Sequence, residues 1–206
     1  MQSLFKNIRH LTFFLAGLLL FVSQPSKILA QEAPKKNIQQ ARRSTNMEKN
    51  QKSNIGKLFP EVKSKSLAKK IEIIPDSAKG KITLVAVAFL RESQSQLDSW
   101  LEPFIKEFGN NKDFMFYEIP MISGGYKFMR FVIDGGMRSG IPEPKHKHVV
   151  TMYGDVEKYI KELDLDPSFG YAFLLDKKGH IQLQAEGFST PEMLSELFVT
   201  AKKLAE

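Results

Sequence analysis

The chain has 206 residues and a formal net charge of +7, and it contains no cysteine. The absence of cysteine excludes disulfides, thiolate nucleophiles, thiolate metal sites and lipid attachment through sulfur. The charge is unevenly placed: residues 1–30 hold Lys6, Arg9 and Lys27 and no acid, residues 31–54 hold six bases against Glu32 and Glu48, and residues 55–206 hold 21 bases and 21 acids. The bulk of the chain is therefore neutral, and its high isoelectric point does not indicate a nucleic-acid-binding face.

Lys6 and Arg9 precede the apolar run LTFFLAGLLLFV (Leu11 to Val22), and a polar stretch with Pro25 ends at Ala30. This is the order of a secretory signal peptide, with cleavage expected after Ala30. The run is too short to cross a bilayer as a straight helix, which takes about 20 residues, so a retained anchor is the weaker reading. A mitochondrial presequence is the alternative, because it too lacks acids, but it alternates polar and apolar residues around a helix and this leader does not. The expectation is an exported protein, periplasmic or membrane-associated. Residues 31–54 contain almost no apolar side chain and read as a flexible basic linker, with a weak contact to anionic lipid headgroups open to its six bases.

One domain is expected over residues 55–206. Gly56 to Pro60 (GKLFP) and Ile71 to Pro75 (IEIIP) read as short extended pieces. Thr83 to Leu90 is a near-continuous apolar run, the pattern of a strand buried on both faces. Leu97, Trp100, Leu101, Phe104, Ile105 and Phe108 then fall on one stripe of a helix, with Ser93 and Gln96 spaced as a capping box and Pro103 expected to kink it. Phe114 to Ile119 reads as a strand closed by Pro120, and YKFMRFVIDGG (Tyr126 to Gly136) as a short, largely buried helix ended by its two glycines. SGIPEPKHKH is irregular, and VVTMYG is a strand. Asp155 caps a helix whose inner face is Val156, Tyr159, Ile160 and Leu163. Tyr171 to Leu175 and His180 to Ala185 form a hairpin around Asp176, Lys177, Lys178 and Gly179. Thr190 caps the last helix and Pro191 opens it. The order gives an α/β fold, a mixed sheet with helices on both faces.

The segments FP (Phe59, Pro60), IEIIP before GKITLV, FLRESQSQLDSW, GGMRSGIP and GYAFLLDKKGHIQLQAEG, in that order from about Phe59 to the C-terminus, resemble the mitochondrial ATP synthase assembly factor (ATP-ten) family of the thioredoxin-like superfamily. The resemblance implies a thioredoxin-like domain without a CxxC pair that helps a membrane-embedded ATP synthase subunit assemble. By position, the matching residues are Arg91, Ser93, Trp100, Arg138, Gly170, Tyr171, Asp176, Gly179 and Gly187. The corner that holds the cysteine pair in thioredoxins holds Ser93, Gln94, Ser95 and Gln96 here.

The partner-binding candidates are Arg91, Ser93, Arg138, Gly170 and Tyr171. Arg91, where the central strand ends, has the donors to bind a carboxylate or peptide terminus bidentately; its competing role is a salt bridge to Glu92 or Asp98. Gly170 and Tyr171 occupy the place of the thioredoxin cis-proline, where a backbone edge would take an extended peptide, while Tyr171 alternatively belongs to the core. His146 and His148 have the spacing of two ligands on one strand face, but Lys145 and Lys147 flank them and Glu143 is the one carboxylate in the segment, so a solvated strand entry is the expectation. No catalytic residue, metal site or cofactor is expected. The sequence therefore points to an exported, redox-inactive factor that binds a partner polypeptide, a membrane protein included, and not nucleic acid. The alternative is a non-thiol enzyme or metal-binding protein using the same corner with a histidine site.

Overall fold

The structure, a computed structural model, describes residues 54–206. The expected signal peptide and the basic segment as far as residue 53 lie outside the described residues. A first hairpin pairs β1 (Val62–Lys65) with β2 (Ile71–Ile74) antiparallel; the sequence reading missed β1, whose four residues VKSK hold a single apolar side chain. The larger sheet is built from β3 (Ile82–Ala88), β4 (Phe114–Ser123), β5 (Met152–Gly154), β6 (Tyr171–Leu175) and β7 (Ile181–Glu186), in the spatial order β5-β4-β3-β6-β7. β3, β4 and β5 run parallel, while β6 and β7 are antiparallel. The helices are α1 (Gln94–Phe108), α2 (Arg130–Gly140), α3 (Val156–Leu163) and α4 (Pro191–Ala205).

β3 sits in the middle of this sheet with every residue buried. Its alternating side chains feed two separate cores, because successive residues of a strand point to opposite faces. Val85 and Val87 join Phe59, Tyr117, Ile119, Phe173, Tyr159 and Leu163 on one face. Leu84, Ala86 and Ala88 join Leu97, Trp100, Phe104, Leu197 and Ala201 on the other. The apolar stripe of α1 is thus buried as its period requires, and α4 covers the sheet beside it. Two caps have the expected geometry: Asp155 accepts from the Lys158 N–H at 3.3 Å, and Thr190 accepts from the Met193 N–H at 3.3 Å. In the turn between β6 and β7, Gly179 has φ +90° and is packed so closely that a Cβ there would lie 2.6 Å from Pro75 Cγ.

Two local expectations are corrected. β4 does not stop at Pro120 but continues to Ser123. Pro120 falls between the Glu118–Val149 bridge and the Met121–Met152 pair, so its missing N–H interrupts little of the ladder to β5. Pro103 lies inside α1, which continues to Phe108 as its apolar stripe predicts. The carbonyl that loses its helical donor to that proline is Ser99 O, and it accepts instead from Ser189 Oγ at 2.8 Å, while Ser99 Oγ accepts from the Ser189 N–H at 2.9 Å. The largest departure is the segment after β4. It forms a 3₁₀ turn (Gly124–Met129) with no buried residue and then α2, which passes through Gly135 and Gly136 to Gly140 and buries only Asp134. The expected largely buried helix is instead mostly exposed.

Asn54, which composition assigns to the end of the linker, is 1% exposed. Its side-chain amide donates to Leu163 O at 2.7 Å and Gln184 Oε1 at 2.9 Å, tying the start of the described chain to the end of α3 and to β7. Asn54→Ala leaves both acceptors without that donor and is expected to cost about 1–3 kcal/mol, read as a lower urea midpoint at unchanged slope.

Candidate functional site

The three parallel strands end along one edge of the sheet, and the chain leaves that edge at Leu90–Arg91, at Gly124 and at Asp155. This edge carries the sequence-predicted corner. After β3 the backbone makes a 3₁₀ turn over Arg91–Ser93 before α1 begins. Ser93 is consequently already in a helical conformation (φ −81°, ψ −1°) and caps nothing through its side chain. The expected capping box with Gln96 is not formed. Buried Ser93 points its Oγ toward Ser168 O at 3.5 Å.

Gln96 is used differently. Its Oε1 accepts from the Gly170 N–H at 2.7 Å, while Gly170 O accepts from the Gly187 N–H at 2.8 Å. Both backbone groups of Gly170 are therefore taken within the fold, and the edge expected to be open to an extended peptide at this residue is closed. The packing explains the glycine: a Cβ at residue 170 would lie 2.8 Å from Leu97 Cδ2 and 3.3 Å from Ser93 O. Tyr171 is buried, its hydroxyl donating to Glu186 Oε2 at 2.9 Å and accepting from the Asp166 N–H at 2.7 Å. Burial, with the Glu186 carboxylate adding to it, pushes that phenol far above its ordinary range, so it stays protonated. Trp100 is packing, as its place on the stripe suggests, and its indole N–H donates to Gly187 O at 2.7 Å.

The structure therefore brings Ser93, Gly170 and Tyr171 together as an internally bonded corner. Arg91 stands outside it, exposed, with no ion-pair partner among the described residues; Asp98, one of its two expected partners, accepts from Gln94 Nε2 at 3.0 Å. Half-buried Arg138 lies on α2, near enough to Tyr153 for its charge to act on the tyrosine's titration. Gln96 is the residue that sequence reasoning placed correctly but gave the wrong task. Its spacing from Ser93 suggested a local cap, and only the tertiary approach of residue 170 reveals the partner.

A family model described as ATP10 protein matches residues 39–204. The chain belongs to the ATP10 protein family. The family is one of ATP synthase assembly factors, and its members are mitochondrial. No curated protein matches the chain. Among solved structures it is similar to the exposed lipoprotein thioredoxin Etrx1 of Streptococcus pneumoniae (16% identity, TM-score 0.48, 70% of this chain and 99% of that one). It is also similar to a thioredoxin-family thiol:disulfide interchange protein of Chlorobium tepidum (15%, TM-score 0.47, 72% and 96%), and to BsSco, of the Sco family of cytochrome c oxidase assembly proteins (12%, TM-score 0.47, 74% and 94%). The described residues of this ATP10 family member form a mixed five-stranded sheet with a separate two-stranded hairpin and four helices, and the chain has no cysteine.

The histidine pair does not form the strand site that its spacing allows. Glu143–Lys145 is a 3₁₀ turn, His146 Nε2 bonds Ile141 O at 2.7 Å, and His148 Nδ1 bonds Phe116 O at 3.0 Å with its ring stacked on Phe116 at 4.0 Å. No cluster of three or more histidine or carboxylate groups fit to hold a metal ion occurs among the described residues. No helix among them is long and apolar enough to cross a membrane.

Two measurements check these assignments. Gln96→Leu strands the Gly170 N–H and is expected to cost about 1–3 kcal/mol in urea unfolding, whereas Gln96→Glu keeps an acceptor in place and recovers most of that loss. Burial lowers the His148 pKa below its ordinary value, so below about pH 6.5 the unfolded chain binds a proton there that the native chain resists. Stability at this site is full above that pH and falls as the pH drops through the interval down to the native pKa. Unfolding curves of His148→Gln, which keeps a donor for Phe116 O, should show a shallower acid loss than the native chain.

Proposed function

We propose that this protein is a redox-silent assembly factor that holds a segment of an ATP synthase polypeptide at the edge where β3, β4 and β5 end, with Arg91 as the charged contact. The single observation that carries the reading is the state of the corner. It retains the thioredoxin-like convergence of strand, helix start and residue 170, but Gln96 closes it by a hydrogen bond and no thiol is present. Reduction, oxidation and isomerisation of disulfides all require a thiolate, which leaves binding as the use of the edge. Arg91 supports that use, because an exposed guanidinium with no ion-pair partner among the described residues offers its fork of donors to a carboxylate or a chain terminus. Ser93, Gly170 and Tyr171 then act as the frame that fixes where Arg91 emerges, and not as contacts of their own. The leader is read as a cleaved export signal or, in keeping with the family, as a mitochondrial presequence, with the mature chain beginning near Gln31.

The test is capture of partner from the protein's own cells by the native chain and by Arg91→Ala, with ATP synthase subunits identified by mass spectrometry. Capture is expected to fall while the unfolding free energy shifts by less than about 0.5 kcal/mol, as is usual for an exposed side chain. A stability loss that accounts for the lost capture would make Arg91 structural. Unchanged capture with unchanged stability would remove it from the site. N-terminal sequencing of the same preparation reads the start of the mature chain, and an intact Met1 would replace export by retention.

A further inference from the structure

α2 is turned inside out relative to an ordinary surface helix, which buries its apolar stripe and exposes its charges. Here Asp134 faces inward at 8% exposure, accepting from Tyr153 Oη at 2.8 Å and pairing with Arg130 Nε at 3.4 Å. Phe128 in the turn before the helix, with Phe131 and Val132 in its first turn, face outward at 83%, 84% and 67% exposure. Tyr126 and Met129 are exposed beside them. Further along the same outward side come Gly135, Gly136 and Ser139, so the face becomes smooth and remains uncharged. The sequence pattern contained this signal, since Arg130 and Asp134 fall on one side of a 3.6-residue period and Phe128, Phe131 and Val132 on the other. The choice of which side turns inward was made by the Asp134–Tyr153 bond.

Charge selects what covers such a face. Between residues 124 and 142 the one acid is Asp134, which is buried and already shared between Arg130 and Tyr153. The bases left at the rim are exposed Lys127 and half-buried Arg138. An uncharged aromatic face with a positive rim is the complement of a bilayer surface rich in anionic headgroups, where apolar side chains enter the boundary of headgroups and acyl chains while bases stay among the phosphates. We propose that the outward face of Tyr126 to Ser139 seats on an anionic lipid bilayer, with Phe128, Phe131 and Val132 entering it and Lys127 and Arg138 at the headgroups. A contact of this kind inserts to a depth of about 5–10 Å and spans nothing. It does not depend on partner capture through Arg91.

The test places a reporter on the face itself in the full chain. The native protein has one tryptophan, Trp100, fully buried, which supplies a constant background. Phe131→Trp, and Phe128→Trp as a second reporter, are made at exposed positions and compared by indole emission with phosphatidylcholine vesicles, with and without phosphatidylglycerol, carrying brominated acyl chains. A blue shift and quenching of the new indole in the anionic vesicles, weaker in neutral ones, is the expected result. Lys127→Glu added to the reporter should weaken that binding by about tenfold. Because the signal reports the depth of the substituted residue, attachment of the chain through another segment does not produce it. An indole that stays at its aqueous wavelength and unquenched in every vesicle, in both reporter variants, overturns the proposal and leaves an apolar polypeptide as the occupant of the face.

Discussion

The constraint on which this fold rests is a central strand with no solvent-facing side. Every residue of β3 is buried, so it must be covered twice, and its neighbours follow from that. Parallel pairing with β4 requires a crossover, which α1 supplies on one face, while the first hairpin and α3 close the other. A strand in this position also fixes where its C-terminal end emerges. The Arg91–Ser93 turn and the start of α1 are held there by the whole sheet and not by a local cap, which is why Ser93 needs no side-chain bond to the helix it opens.

What could be read from the sequence was whatever depended on one-dimensional period. The apolar run of β3, the stripe of α1, the hairpin with its Gly179 and the caps at Asp155 and Thr190 are all set by neighbours within a few residues, and each has the expected form. What could not be read were choices made by residues far apart in the chain. Gln96 bonds residue 170, 74 positions away. Asn54 joins the fold through Leu163 and Gln184, although its surroundings in sequence look like linker. The orientation of α2 runs against the rule that the apolar side is buried, because its charged side, with Arg130 and Asp134, turns inward to a tyrosine on β5.

The corner where β3 passes into α1 is closed by its own residues. The approach of helix start and residue 170 is kept tight by glycine, which leaves no room for a Cβ against Leu97, and the glutamine carbonyl satisfies a backbone N–H that would otherwise be buried unpaired. The result is a rigid mount with an arginine beside it. The family supplies the coarse role, assembly of ATP synthase, and the closed corner directs attention from redox exchange to the surfaces around it.

Pro103 sits in the middle of α1, where a proline is ordinarily a defect. Here the defect is occupied: Ser99 O, released from the helical ladder, holds Ser189, the residue immediately before the cap of α4. The two helices on this face of the sheet are thereby locked in phase by a gap in one and a hydroxyl ahead of the other. With alanine in place of that proline, the helix would gain an N–H competing for the same carbonyl, and a residue that strengthens α1 taken alone would loosen the joint that sets the starting point of α4.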